Sequence, residues 1–129
     1  MILISHRGNI DGPNPKNENK PSNNKFYLGH DKPQYDIPIE WLENNYRKLW
    51  IHCKNVDAIS KLHELDRGGF YLNYFWHEND KVTLTSQGYI WAYPGVECSN
   101  GIAVMPELNK SFKPTNVLGI CSDYILNYE

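Results

Sequence analysis

Four of the five histidines stand where a short apolar run of the chain gives way to polar residues: His6, His30, His52 and His77. An imidazole titrates near neutral pH, so a positioned histidine can accept or donate a proton in a reaction. Arg7 follows His6 directly. Its planar, permanently charged guanidinium group matches the oxygens of a phosphate group. These residue types together could support acid–base chemistry on a bound anion.

Carboxylates and a lysine stand near these histidines in the sequence. Glu18 lies in the polar segment 9–24, Asp31 follows His30, Lys54 follows Cys53, and Asp123 comes near the end of the last apolar run. A carboxylate is a hard oxygen ligand of the kind that Mg²⁺ and Ca²⁺ prefer. Taken alone, each of these side chains is more often a solvated surface group. Their significance depends on the elements that position them.

Seven short apolar runs, rich in branched and aromatic residues, predict β-strands. Because the runs are continuous rather than alternating, they favour parallel strands covered on both faces. Polar residues at the carboxyl ends of such strands would line one edge of the fold, where active sites of barrels and open parallel sheets are built. Two amphipathic segments, 38–48 and 56–66, predict helices. The seven apolar runs that predict strands cover residues 1–8, 25–31, 48–55, 73–80, 88–95, 101–107 and 118–125.

Composition sets broad limits on the class of protein. We interpret the 129 residues as one domain, 1–129, and a net charge of −2 argues against general nucleic-acid binding. The apolar start of the chain is too short for a signal peptide or a membrane span, which predicts a cytoplasmic protein without a transmembrane segment. The three cysteines show no CxxC spacing, so we expect reduced thiols. The aromatic residues Tyr89, Trp91 and Tyr93 alternate along one apolar run. We interpret them as core residues; the alternative is a binding surface that packs against a glycerol or lipid-like head group.

The order His6-Arg7-Gly8, Glu18-Asn19 and Gly29-His30-Asp31 resembles the glycerophosphodiester phosphodiesterase family of phospholipase-C-like phosphodiesterases. The resemblance covers nearly the whole chain and is strongest over residues 1–31. It implies an α/β fold, a TIM-like (β/α) barrel with the active site at the carboxyl ends of its strands. It also implies metal-assisted hydrolysis of a phosphodiester such as a glycerophosphodiester or a phospholipid head group. By the same resemblance His6 and His30 are the acid–base pair.

The remaining roles also follow from the resemblance. Arg7 would contact the phosphate, and Lys54 matches a lysine of the larger family members, while His52 stands where those members have an acidic residue. We assign Arg7, Lys54, His52 and His77 to substrate binding. Glu18 and Asp123 would be ligands of a divalent cation, Mg²⁺ or Ca²⁺.

One segment of the family pattern is missing from this chain. The family has a helix and a Glu-x-Asp strand between the Glu-Asn loop and the His-Asp strand, whereas here only six residues, 20–25, separate these motifs. The barrel is therefore expected to be reduced, with seven visible strands in place of eight. Two exposed strand edges predict self-association, and the missing carboxylates predict weak metal binding.

Two other interpretations of the same residues stay open. In the first, the chain is a catalytically weakened barrel that binds a phosphodiester or another anion without turnover. In the second, the strand-end histidines form a transition-metal site, such as a zinc site, of a different hydrolase.

Overall fold

The chain folds as a mixed α/β protein of short strands and few helices. The computed structural model describes residues 1–5, 26–29, 35–96, 98–109 and 113–129. Its helices are α1 (Ile39–Asn45) and α2 (Val56–Leu65), with single 3₁₀ turns at Tyr46–Lys48, Pro106–Leu108 and Ile125–Tyr128. Its strands are β1 (Ile2–Ser5), β2 (Phe26–Leu28), β3 (Tyr35–Ile37), β4 (Ile51–Cys53), β5 (Tyr74–Trp76), β6 (Val82–Leu84), β7 (Ile90–Ala92), β8 (Ile102–Val104) and β9 (Gly119–Ser122).

Hydrogen bonds between the described strands form three sheets. The largest has the order β1-β9-β8-β7-β6, in which the first four strands are parallel and β6 is antiparallel at the edge. A second sheet pairs β4 with β5 in parallel, and a third pairs β2 with β3 antiparallel. These ladders do not join the described strands into one closed ring, so closure of a barrel stays a prediction.

Each of the seven apolar runs contains one strand, and six of these strands have a parallel partner. The expectation of parallel pairing is wrong for β2, which pairs with β3 immediately after it in the chain. The sequence reasoning missed β3 and β6, both of three residues. The two predicted helices are present: α1 continues as a 3₁₀ turn to Lys48, and α2 spans 56–65.

One apolar interior is shared by the five-stranded sheet and the β4–β5 pair. The aromatic ring of Phe75 in β5 lies 4.7 Å from that of Trp91 in β7, measured between ring centroids. Ile102 and Cys121 on the neighbouring strands are at most 2 % exposed. The side chains of the two sheets therefore pack into a common core even though no strand ladder joins them. The cluster contains Phe75, Trp91, Ile102, Val104 and Cys121, with Ile2, Ile4, Trp50 and Met105 packed against it.

A second apolar cluster covers the opposite face of β4 and β5. Leu42 of α1 and Leu62 of α2 are buried against Cys53 and Tyr74, the residues that alternate with those facing the first cluster. Because strand side chains point to opposite faces in turn, β4 and β5 bury both faces. This accounts for their continuous apolar sequences.

The close approach of β1, β9 and β8 depends on Gly119. A Cβ atom at this position would lie 2.5 Å from the backbone oxygen of Ile2 and 2.9 Å from Cδ1 of Ile102. Only a residue without a side chain fits between these strands. This contact fixes β9, whose last residue directly precedes Asp123.

Candidate functional site

Four of the predicted site residues lie in the described part of the chain. His52 is the middle residue of β4, and Lys54 follows that strand directly and is exposed. His77 directly follows β5, and Asp123 directly follows β9 and is exposed. The remaining predicted residues, His6, Arg7, Glu18 and His30, lie outside the described residues.

The structure brings His52 and His77 into direct contact. Their ring centroids are 4.6 Å apart and the planes differ by 11°. The ring of His52 also stacks on Phe75, with centroids 4.9 Å apart. The parallel pairing of β4 with β5 places His52 opposite Phe75, and His77 follows Phe75 by two residues. The strand register therefore sets two imidazoles on top of the apolar interior.

Two buried polar atoms at the carboxyl ends of strands have no hydrogen-bond partner within the described residues. These are Nδ1 of His77, beyond β5, and Oγ of Ser5, the last residue of β1. An unsatisfied polar group inside a protein costs about 1–3 kcal/mol, so its presence calls for a physical explanation. A bound ligand that donates or accepts a hydrogen bond would remove this cost. The unpaired Nδ1 atom makes the histidine pair a candidate binding site.

The stacked geometry bears on what the histidine pair can bind. The lone pair of an imidazole nitrogen lies in the plane of its ring, so two nearly parallel rings 4.6 Å apart do not direct lone pairs from both rings toward one point between them. A shared metal ion needs both nitrogens about 2.0–2.1 Å from the metal. Binding of an anion needs no such convergence, because one N–H group from each ring can donate to a different oxygen of the same anion. The pair as placed favours an anion such as phosphate over a transition metal.

Asp123 lies in a network organised by Glu107. Oε1 of Glu107 accepts hydrogen bonds from Oγ of Ser122 at 2.8 Å and from the backbone N–H of Asp123 at 3.3 Å. Oε2 accepts from the hydroxyl of Tyr128 at 3.4 Å. Ser122 is fully buried, and its Oγ in turn accepts from the backbone N–H of Tyr124. Glu107 therefore fixes the chain on both sides of Asp123.

Neighbouring ionisable groups reflect the burial of this network. Burial raises the pKa of the Cys121 thiol to about 12, and the carboxylates of Asp123 and Glu107 add to the effect. Burial, followed by the charge of Glu107 and its hydrogen bond, also raises the pKa of the Tyr128 hydroxyl. Both carboxylates thus lie close enough to affect the ionisation of a buried thiol on β9.

The described residues do not by themselves make up the predicted divalent-cation site. Among residues 1–5, 26–29, 35–96, 98–109 and 113–129 there is no group of three or more His, Cys, Asp or Glu side chains arranged to hold a metal ion. Glu107 already accepts three hydrogen bonds from the protein. Asp123 is the one predicted ligand among the described residues, and a single carboxylate rarely holds Mg²⁺ or Ca²⁺ tightly. The other predicted ligand, Glu18, lies outside the described residues.

The sequence analysis assigned no role to Glu107. Its function as a clamp depends on Ser122 and Tyr128, which are 15 and 21 residues away in the chain. The available signal was its position: Glu107 follows β8 as Asp123 follows the adjacent β9. Acidic residues at the ends of neighbouring parallel strands lie on one edge of a sheet.

Comparisons with known proteins return no relatives. No family model, no curated protein and no solved structure matches this chain. Within the part of the chain that the structure describes, no helix is long and apolar enough to cross a membrane.

Proposed function

We propose that this chain hydrolyses a small-molecule phosphodiester at the carboxyl ends of its parallel strands. The observation that carries the proposal is the stacked pair His52–His77, which stands on the apolar interior; Nδ1 of His77 is buried and has no hydrogen-bond partner among the described residues. Three motifs of the sequence, His-Arg-Gly, Glu-Asn and Gly-His-Asp, support a diester as the bound anion by their resemblance to phosphodiesterases; their histidines, Arg7 and Glu18 lie outside the described residues. The net charge of −2 favours a small diester, for example a glycerophosphodiester, over nucleic acid.

Substrate binding is assigned to cationic and hydrogen-bonding side chains. The N–H groups of His52 and His77 would donate to the non-bridging oxygens of the phosphate. Arg7 and Lys54 would neutralise its charge, which rises further as the phosphorus becomes five-coordinate. The rigid packing of His52 and His77 on Phe75 supports this role, since a preorganised donor costs little reorganisation during the reaction.

The chemical step is assigned to His6 and His30. One imidazole takes the proton from a water molecule or a neighbouring substrate hydroxyl as its oxygen bonds to phosphorus. The other gives a proton to the departing alkoxide as the second P–O bond breaks. Attack by water gives a phosphomonoester and an alcohol, whereas attack by a neighbouring substrate hydroxyl gives a cyclic phosphodiester and an alcohol. Two proton-transfer groups on opposite sides of phosphorus suit an in-line displacement.

A divalent cation, Mg²⁺ or Ca²⁺, belongs to the proposal as an expectation from the resemblance. Such an ion would neutralise charge on the phosphoryl oxygens. Asp123 is the described carboxylate offered to it, and Glu18 would be the second. Since the described residues do not complete a site, no step of the reaction is assigned to the ion. The free thiols of Cys53, Cys98 and Cys121 accord with a reducing compartment such as the cytoplasm.

The hydrogen bonds of Glu107 favour a second function, in which the chain binds a phosphodiester or another anion without turnover. Its two carboxylate oxygens are used to hold Ser122, Asp123 and Tyr128. A site with few available carboxylates can still recognise an anion through His52 and His77. In that case the chain would bind phosphate but not accelerate its hydrolysis.

Hydrolysis and binding are measured separately to distinguish the two functions. Cleavage of bis(p-nitrophenyl) phosphate and of glycerophosphocholine gives the turnover, with and without Mg²⁺ or Ca²⁺. Calorimetric titration with inorganic phosphate gives the affinity. We expect His6→Ala and His30→Ala each to lower turnover about 10²–10⁴-fold. We expect His77→Ala to weaken phosphate binding.

The control is His63→Ala, since His63 is an exposed residue of α2 and belongs to neither proposed role. It should leave both turnover and phosphate affinity unchanged. Turnover unaffected by His6→Ala or His30→Ala would refute the acid–base assignment. Phosphate binding without hydrolysis would support the second function, and the absence of both would refute the site.

A further inference from the structure

A pocket lies at the opposite end of the strands from the histidine pair. It has a volume of about 250 Å³ and is lined in part by Trp50, Asn73 and Tyr89. Each of these residues immediately precedes a strand, β4, β5 or β7. Asn73 and His77 are four residues apart on β5, which corresponds to roughly 13 Å along an extended strand. The pocket is therefore distinct from the proposed phosphodiester site.

The rim of this pocket is held in a defined conformation. Tyr71, which lines the pocket, has a left-handed backbone with φ 45° and ψ 45°. The next residue, Leu72, is fixed at both backbone groups: its N–H donates to Oδ1 of Asp66 at 2.8 Å, and its carbonyl accepts from Oγ of Ser86 at 2.8 Å and Nε2 of Gln87 at 3.3 Å. Surrounding bonds of this kind are needed to maintain an uncommon backbone conformation in a residue other than glycine. They preorganise the rim.

Four of the residues that line the pocket are aromatic: Tyr46, Trp50, Tyr71 and Tyr89. The side chain of Tyr71 is 74 % exposed, although an aromatic ring is normally placed where it can be buried. Trp50 and Tyr89 are in contact, with centroids 4.9 Å apart and planes inclined by 50°. Because these two rings are not parallel, they do not form a slot for a flat heterocycle. They present separate faces suited to a ring with C–H groups.

Polar groups beside the rings define the hydrogen bonds that a ligand would make. The guanidinium group of Arg47 lies over the ring of Tyr46, 5.5 Å from its centroid, and its Nε donates to the Tyr46 hydroxyl at 3.0 Å. Asn73 is 8 % exposed, and its Oδ1 has no hydrogen-bond partner within the described residues. The pocket thus offers donors on Arg47 and an acceptor on Asn73 that needs a donor. A hydroxyl group can satisfy both.

We propose that this pocket binds a single pyranose sugar ring. The C–H face of the ring would pack on the exposed aromatic side chains, and its hydroxyls would pair with Arg47 and Asn73. The positive charge of Arg47 disfavours a cationic ligand such as choline, which also lacks the N–H donor that Asn73 requires. The volume lies just below the range of roughly 300–1,000 Å³ for pockets that take drug-sized ligands, which suits one ring.

The test is a titration of the whole chain with methyl β-D-glucopyranoside, methyl β-D-galactopyranoside and methyl N-acetyl-β-D-glucosaminide. Adenosine and choline are titrated in parallel. Tryptophan fluorescence, to which Trp50 contributes together with the other three tryptophans, reports on the protein, and saturation-transfer NMR reports on the sugar. We expect at least one glycoside to bind with a Kd of about 1 mM, the value that a low ligand efficiency gives for roughly 13 heavy atoms.

Tyr71→Ala should weaken this binding at least about tenfold, which corresponds to about 1.4 kcal/mol. The matched control is Tyr124→Ala, since Tyr124 is a tyrosine exposed to 63 % elsewhere on the surface. It should leave the affinity unchanged, and circular dichroism should show both variants folded.

The proposal is overturned if none of the three glycosides gives a saturable binding signal at ten times the expected Kd. It is also overturned if Tyr71→Ala binds the glycoside with the affinity of the parent chain. Binding of adenosine or choline alone would refute the sugar assignment. Because His77 lies at the other end of β5, His77→Phe should leave glycoside binding unchanged. A loss of sugar binding in that variant would refute the separation of the two sites.

Discussion

Replacing His77 by Phe should make the protein more stable while removing its proposed ability to bind phosphate. The imidazole of His77 stacks on His52, and its Nδ1 is buried without a hydrogen-bond partner among the described residues. A phenyl ring has the same planar shape and keeps the stack. His77→Phe therefore deletes an unsatisfied polar atom and preserves the surrounding packing.

The expected gain follows from the cost of leaving a buried polar group unpaired, about 1–3 kcal/mol. For a chain of this length, each kcal/mol raises Tm by about 3–5 °C. Urea denaturation should show a higher midpoint with an unchanged slope. A ligand that binds only the folded state adds RT ln(1 + [L]/Kd), about 2.7 kcal/mol at a concentration of 100 Kd. Inorganic phosphate should therefore stabilise the parent chain but not the variant.

His63→Phe is the matched control because His63 has the partner that His77 lacks. Its Nδ1 is 3.1 Å from the hydroxyl of Tyr74, which is 6 % exposed. Removing this bond should lower stability by about 0.5–1.5 kcal/mol, so the two His→Phe changes should differ in sign. A lower midpoint for His77→Phe would show that its imidazole makes a stabilising hydrogen bond. The reasoning from an unpaired Nδ1 would then be refuted.

Three further predictions concern the scaffold. Gly119→Ala should cost more than about 1–3 kcal/mol in urea denaturation, because the new Cβ would lie 2.5 Å from the Ile2 oxygen; a smaller loss would mean that β1 and β9 can move apart. Asn55→Ala should cost about 0.5–2 kcal/mol because the Asn55 side chain caps α2 by accepting from the Ala58 N–H at 2.8 Å, and Asn55→Ser should restore most of it. Burial raises the pKa of the Cys53 thiol from 9.0 to about 11. The unfolded chain therefore releases this proton at a lower pH than the folded chain does. The contribution of this thiol to the free energy of unfolding should be fully present below pH 9 and should be lost as pH rises toward 11. A Cys53→Ala variant should lose less stability over that interval.

Local sequence was sufficient to predict most strands and both helices. Runs such as the one around Trp50 to Cys53 have the composition of a strand buried on both faces, and β4 is buried in this way. The segment after Asn55 combines a capping residue with an apolar stripe that includes Leu62, and α2 follows it closely. Here local preference and tertiary packing favour the same structure, which makes the sequence signal reliable.

The missed features depend on contacts that no local pattern encodes. Strand β3 has three residues, and its pairing with β2 arises across a chain reversal. Strand β6 exposes Leu84 to 67 %, so it lacks the apolar burial that identifies a strand in sequence. The contact of His52 with His77 requires the register of β4 on β5. The positions of His52 and His77 near the ends of apolar runs could be read from the sequence, but the contact between them could not.

A continuous series of ring contacts through the apolar interior joins the histidine pair to two residues that line the pocket, Trp50 and Tyr89. His77 and Asn73 belong to opposite ends of β5, and Phe75 lies between them with 2 % of its surface exposed. Protein interiors are close-packed, so a ring in such a series has little freedom to move independently of its neighbours. Both candidate sites therefore inherit their geometry from the same buried residues, while the intervening apolar layer keeps their ligands apart. The series runs from His77 to His52 (4.6 Å), Phe75 (4.9 Å), Trp91 (4.7 Å), Trp50 (6.0 Å) and Tyr89 (4.9 Å).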